Sequence, residues 1–193
     1  MGKLNLPNRL TLIRMFLAPI YLALMLIEFP YHYLAALIVF SIASITDMLD
    51  GKIARKRNII TVFGKLLDPL ADKMLTTAAL LAFMREGWCS IWIVMIVLTR
   101  EFAVTSVRLV ASAQGVVIPA NYWGKAKTVS QMVFTIIIML LAQLEASLSI
   151  FANTGWFTLS RVSNIMLWIT AILTVVSGVT YFVDGKKLID FSK

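Results

Sequence analysis

Apolar residues along this 193-residue chain come in long runs broken by short polar clusters. That pattern is neither the alternation of a half-buried strand nor the narrow stripe of a surface helix. Six runs approach the roughly 20 residues a helix needs to cross a bilayer. They predict spans at about 11–27, 33–54, 62–84, 89–112, 127–150 and 162–183. Turn formers mark the connections: Pro30, Gly87, Gly115 with Pro119, and Asn153-Thr154-Gly155. Residues 3–10 (KLNLPNRL) read as a short interfacial segment before the first span. Arg9 and Arg14 run into that span and no small-residue cleavage site follows, so a retained span is expected rather than a signal peptide. No repeat, low-complexity tract or linker interrupts the chain, and the predicted fold is one all-α membrane domain over 1–193 with six transmembrane helices.

Composition sharpens this picture. The apolar set AVILMFWYC makes up 60% of residues and charged residues only 15%, against about a quarter charged in soluble domains. That balance excludes disorder, collagen, a coiled coil and a disulfide scaffold. Cys89 is the one cysteine, so neither an internal disulfide nor a cysteine-rich metal site is available. His32 is the one histidine, which removes histidine-ligated zinc, Ser-His-Asp triads and histidine phosphorelays. Both fall near the outer loops and receive no chemical role. Trp88, Trp92, Trp156 and Trp168 suit an interface belt.

The net charge of +8 would raise nucleic acid as a partner for a soluble protein. Here the partner expected is anionic membrane lipid, and no nucleic acid, because the cations gather on one side. Lys3, Arg9 and Arg14 mark the N-terminus; Lys52, Arg55, Lys56, Arg57 and Lys65 the second-to-third connection; Arg108, Lys125 and Lys127 the fourth-to-fifth; Lys186, Lys187 and Lys193 the tail. The opposite loops hold little beyond Glu28, Arg85 with Glu86, Glu145 and Arg161. By the positive-inside rule both termini are expected in the cytoplasm.

Four of the ten acidic residues, Asp47, Asp50, Asp68 and Asp72, cluster at the end of the second span and the start of the third. Charge inside a membrane costs roughly 2.5–3.5 kcal/mol or more, which makes such residues functional candidates. Asp47 and Asp50 are three apart, Asp68 and Asp72 four apart, so each pair shares a helix face. If the two helices are antiparallel neighbours, four carboxylates meet in one pocket, where they repel unless cations lie between them. Oxygen-only ligands select Mg²⁺ or Mn²⁺, with Ca²⁺ as an option. The plainer alternative is interfacial aspartates paired with local lysines and arginines. Arg55 lies on the same helix as Asp47 and Asp50; a phosphate between arginine and metal reconciles the two charges, and a metal-bridged diphosphate is the resulting physical expectation.

The residues Asp47-x2-Asp50-Gly51-x2-Ala54-Arg55-x8-Gly64-x3-Asp68-x3-Asp72 match the signature of the CDP-alcohol phosphotransferase family at all eight fixed positions. The chain thus resembles that family, whose members transfer a phosphoalcohol group from a CDP-linked donor to an acceptor hydroxyl and release CMP. The resemblance implies that Asp47, Asp50, Asp68 and Asp72 hold two divalent cations, Mg²⁺ or Mn²⁺, on the donor diphosphate, and that Asp72 also serves as general base. It further implies Gly51, Arg55 and Gly64 against the nucleotide, and a homodimer. Pro7-Asn8-x2-Thr11-x2-Arg14 resembles the opening of several branches, which adds Asn8 and Thr11 to the donor site; the alternative is an N-cap and a positive-inside arginine.

For the acceptor, Arg108, Lys125 and Lys127 can form a cationic pocket for a phosphate, with Arg100 and Thr105 as further candidates. The alternatives are lipid snorkelling and a structural role for Arg100 and Glu101 between helices. The stretches TREFAVTSVR, Gln114-Gly115-x-Val117-x-Pro119 and GKAKTVSQ resemble the branch that joins CDP-diacylglycerol to sn-glycerol 3-phosphate, giving phosphatidylglycerophosphate and CMP in the bacterial cytoplasmic membrane; Thr99 stands where that branch often has alanine. Two competing expectations remain: the same fold with inositol phosphate, serine or phosphatidylglycerol as acceptor, and a divalent-cation transporter. The near-cytoplasmic position of the aspartates speaks against transport, since transporters bind near the midplane.

Overall fold

The apolar runs form six helices in the computed structural model: α1 (Leu6–Leu26), α2 (His32–Arg57), α3 (Val62–Arg85), α4 (Ile91–Ala113), α5 (Tyr122–Leu148) and α6 (Leu159–Lys186). The structure describes residues 6–57, 62–114, 122–151 and 155–186, with side chains at 11–46, 70–71, 73–112, 114, 122–151 and 155–183. No strand occurs among the described residues. Each expected span coincides with one helix to within a few residues. The interfacial segment is different: residues 6–10 continue into α1 without a break. Pro7 sits in the first turn, where its missing N–H has no helical partner to lose, so nothing there ends the helix.

The helices run from 21 to 28 residues, or about 31 to 42 Å at 1.5 Å per residue. Two of them, α5 and the Leu159–Val183 part of α6, are both long and apolar enough to cross a membrane, and α1 and α2 carry shorter apolar stretches at Thr11–Leu26 and His32–Thr46. Helix α4 has the length, but Arg100, Glu101 and Arg108 interrupt its apolar sequence.

Helix α1 packs against both α2 and α3, while α2 and α3 meet only slightly among the described residues. Helix α6 packs on α5 and α4, α5 also touches α2, and α3 touches α4. The shared core holds Tyr21, Phe40, Phe83, Ile93, Ile138 and Leu167, all with essentially no exposure. Tyr21 and Phe40 rings lie 5.7 Å apart, within the range of favourable tilted pairs. Tight turns hold the α3–α4 end: Gly87 takes φ +74°, a left-handed value that suits glycine, and the Ser90 hydroxyl accepts from the Trp92 N–H at the start of α4. The periphery carries Phe16, Trp92, Phe102, Leu109, Leu148 and Ile172 exposed. Large apolar side chains around the whole bundle suit lipid and not water.

The buried faces change character along the bundle. On α5 they run Lys127, Gln131 and Thr135, then Ile138, Met139 and Ala142. On α6, Ser163, Thr170, Thr174 and Ser177 are buried. Polar residues at helical spacing along an inner face mark where this bundle keeps a polar interior.

Candidate active site

Helical backbone runs through both aspartate pairs, so Asp47 and Asp50 lie one turn apart on α2, and Asp68 and Asp72 one turn apart on α3. The side-chain positions of Asp47, Asp50, Asp68 and Asp72, and the surroundings of Asn8, Gly51, Arg55 and Gly64, lie outside the described residues. Helix α1, which lies against both motif helices, brings Thr11 and Arg14 inward. Each is 1% exposed, and neither side chain is without a partner. An arginine so deeply buried does not snorkel to lipid; it is held by groups inside the bundle.

A second cluster joins α3, α4 and α5. Arg100 Nη1 and Lys127 Nζ both donate to Glu101 Oε1, at 3.0 and 2.7 Å. Lys73 Nζ donates to the Glu101 carbonyl at 3.1 Å and to the Thr105 hydroxyl. The Thr105 hydroxyl itself donates to the same carbonyl at 2.7 Å. Lys127 is 5% exposed, and Gln131 beside it on the inner face is 2% exposed. Arg100 lies in a slot made by two glycines. A Cβ on Gly178 of α6 would stand 3.1 Å from Arg100 Cγ, and one on Gly124 of α5 would stand 3.6 Å from Nη2.

Two cations, Arg100 and Lys127, thus share the Glu101 carboxylate in a setting largely shielded from water, with Lys73 close by on the Glu101 carbonyl. Arg100 Nε is buried there without a hydrogen-bond partner. A buried donor without a partner is costly, so Arg100 Nε leaves room for an acceptor beside Lys127. A phosphate is the anion whose oxygens match a guanidinium and an ammonium together.

Of the five residues expected at an acceptor phosphate, the structure brings Arg100, Thr105 and Lys127 together. Lys125 is exposed instead. Two positions on a helix are separated by about 200°, so Lys125 and Lys127 cannot share a face. Arg108 lies two turns beyond Glu101, its Nε donating to the Tyr181 hydroxyl at 3.1 Å with the guanidinium 5.3 Å from that ring's centre. Lys73 was not among the expected residues. Its signal in the sequence is a lysine directly after Asp72 in an apolar stretch, where charge is expensive. His32 and Cys89 stay at the end of the bundle formed by the α1–α2 and α3–α4 turns. His32 lines a cavity of about 340 Å³ with Glu28, Tyr33 and Glu86, its Nδ1 2.9 Å from the Phe29 carbonyl.

The family model for CDP-alcohol phosphatidyltransferase matches residues 4–176. A CDP-diacylglycerol–glycerol-3-phosphate 3-phosphatidyltransferase of Bacillus subtilis (strain 168) is 41% identical over 190 residues, covering 92% of this chain and 93% of its own. One of the same name from Rickettsia bellii (strain RML369-C) is 35% identical over 183 residues, covering 95% of this chain and 96% of its own. A probable phosphatidylglycerophosphate synthase of Mycobacterium tuberculosis (strain ATCC 25618 / H37Rv) is 34% identical over 180 residues, covering 92% of this chain and 79% of its own. A match over nearly the whole chain, which includes the eight-residue aspartate signature, makes this protein a member of the CDP-alcohol phosphatidyltransferase family.

Proposed function

We propose that this chain transfers the phosphatidyl group of CDP-diacylglycerol to sn-glycerol 3-phosphate, giving phosphatidylglycerophosphate and CMP. The observation that carries the choice of acceptor is the buried cluster of Arg100, Lys127 and Lys73 around Glu101. A phosphate-bearing acceptor supplies oxygens for the spare Arg100 Nε donor beside Lys127; serine and free inositol carry no phosphate. The relatives named above act on the same donor and acceptor by their names.

In this reading Arg100, Thr105 and Lys127 hold the acceptor phosphate, and exposed Arg108 and Lys125 draw the anion toward it. Asp72 takes the proton of the acceptor hydroxyl as its oxygen bonds to the phosphatidyl phosphorus. The bond from that phosphorus to the bridging oxygen breaks, and the electron pair leaves with CMP. Asn8, Thr11, Gly51, Arg55 and Gly64 line the nucleotide, with Thr11 already turned into the bundle. The donor set of four carboxylates on paired helical turns fits hard divalent cations, so Asp47, Asp50, Asp68 and Asp72 would hold two, Mg²⁺ or Mn²⁺. Such ions, when bound, offset diphosphate charge and make CMP a better leaving group.

The whole chain forms one six-span domain in the bacterial cytoplasmic membrane, with both termini and the aspartates on the cytoplasmic side, and works as a homodimer. Support for the spans is the length of every helix and the apolar periphery; support for the orientation is the one-sided distribution of lysine and arginine.

Purified protein in detergent, given CDP-diacylglycerol and Mg²⁺ or Mn²⁺, is expected to release CMP with glycerol 3-phosphate and not with serine, inositol or inositol phosphate. Release with serine or inositol in its place discards the acceptor seat; release with inositol phosphate keeps the seat and changes the acceptor. No release with any acceptor, accompanied by metal uptake into vesicles, favours the transporter. A finer test follows from the glycine slot. Gly178→Ala puts a methyl 3.1 Å from Arg100 Cγ, tighter than ordinary contact, and displaces the guanidinium. The KM for glycerol 3-phosphate should rise roughly 3- to 10-fold, on the order of one weakened charged hydrogen bond, with the KM for CDP-diacylglycerol unchanged.

A further inference from the structure

Lys73 stands outside the aspartate signature, yet it follows Asp72 directly on α3 and spends its ammonium on α4. Its acceptors on α4 include the Glu101 main-chain carbonyl and the Thr105 hydroxyl, so it grips α4 at the turn that carries Arg100 and Glu101. Glu101 then reaches Lys127 on α5. A continuous set of polar contacts therefore runs from the residue beside Asp72 to the two cations of the anion seat.

The position of this grip gives it mechanical meaning. Helices α3 and α4 are joined covalently by the turn at residues 86–90. Lys73 lies 12 residues before the end of α3 at Arg85, and Glu101 lies 10 residues after the start of α4 at Ile91. At 1.5 Å per residue the grip is about 15–18 Å from the turn. At that distance the turn alone does not set the register of one helix against the other.

We infer that Lys73 is a positioning residue: its contacts with the Glu101 carbonyl and the Thr105 hydroxyl set the register of the Asp68/Asp72 turn of α3 against the cations of α4 and α5. The inference rests on the proposed acceptor seat at Arg100 and Lys127 and on Asp72 as base. Glycerol 3-phosphate has a short, fixed span between its phosphate and its reacting hydroxyl. With the phosphate held by α4 and α5 and the proton acceptor carried by α3, a slide of about 1 Å between the helices costs on the order of 10²-fold in rate.

Two readouts test this together. The first is kcat and both KM values for wild type, Lys73→Met and Lys73→Arg. The second is the distance distribution between spin labels on Leu70→Cys of α3 and Phe102→Cys of α4, two exposed positions, in the same three backgrounds. Lys73→Met is expected to lower kcat roughly 30- to 100-fold, with either KM changed less than about 3-fold, and to broaden or shift the label distance. Lys73→Arg, which keeps charge and donors, is expected to restore most of both. Intact kcat with a raised KM for glycerol 3-phosphate overturns the inference, because it would make Lys73 a phosphate ligand. So does a lowered kcat with an unchanged label distance, or a changed distance with unchanged kcat. If Lys73→Met does not fold, Lys73→Gln, a shorter neutral donor, is expected to move both readouts in the same direction by a smaller amount; no movement overturns it. Wild-type protein that releases no CMP with glycerol 3-phosphate refutes the proposed function instead, and an unaltered label distance in Lys73→Met then refutes the register role independently.

Discussion

Asp72→Asn is expected to lower CMP release by roughly 10²- to 10⁴-fold, the range that a positioned general base contributes. The change keeps the size of the side chain and the helix that carries it, but a carboxamide does not take a proton from an alcohol at neutral pH. Donor binding should survive in large part, because Asp47, Asp50 and Asp68 remain. Asp47→Asn provides the contrast. It removes a carboxylate proposed only as a metal ligand, so raising Mg²⁺ or Mn²⁺ should recover part of its activity, and the same increase should do little for Asp72→Asn. The measurements are CMP release across a metal titration and binding of CDP-diacylglycerol to the same folded preparations. Turnover near wild type in Asp72→Asn removes that residue from the role of base, and recovery of both variants by metal reduces it to a ligand like the other three.

Lys127→Ala should act on the acceptor alone. The side chain is 5% exposed and donates to Glu101 at 2.7 Å, so its loss opens the anion seat rather than trimming a solvated surface. A hydrogen bond to a charged group contributes about 1.5–3 kcal/mol, and each 1.4 kcal/mol is about tenfold. The KM for glycerol 3-phosphate should therefore rise about 10- to 100-fold, with the KM for CDP-diacylglycerol nearly unchanged. Lys125→Ala, two residues away on the exposed face, should change either value less than about 3-fold, and that small effect should fade as salt is raised. Equal rises in both KM values for Lys127→Ala would place the lysine outside the acceptor seat. Equal effects of the two lysine variants would mean that net charge, and not the inward position of Lys127, is what the acceptor senses.

The apolar runs alone located all six helices to within a few residues, because a stretch of about 20 apolar residues has few other ways to satisfy its backbone in lipid. The aspartate spacing was equally legible: three and four residues are one helical turn, so each pair shares a face whatever else surrounds it. Three local features were open to misreading. Residues 3–10 looked like a separate interfacial segment, yet 6–10 belong to α1, where Pro7 is tolerated in the first turn. Lys125 and Lys127 looked like one basic patch, although two residues apart on a helix means opposite faces. Arg14 looked like a positive-inside marker, and its burial became visible only once α1 was found against both α2 and α3.

Taken by itself, the chain's order of residues determined the helices, the carboxylate pairs and the family, all of which depend on contacts or spacings within a few turns. Tertiary structure alone decided that Lys127 meets Glu101 across 26 positions, that Lys73 meets Thr105 across 32, and that Arg108 meets Tyr181 across 73. It alone put Gly178 of α6 against the stem of Arg100. No periodicity within one helix specifies which neighbour that helix takes or how far it slides along it; that choice is made by the fit of whole faces, and the cluster of Lys73, Arg100, Glu101 and Lys127 forms only where such faces converge.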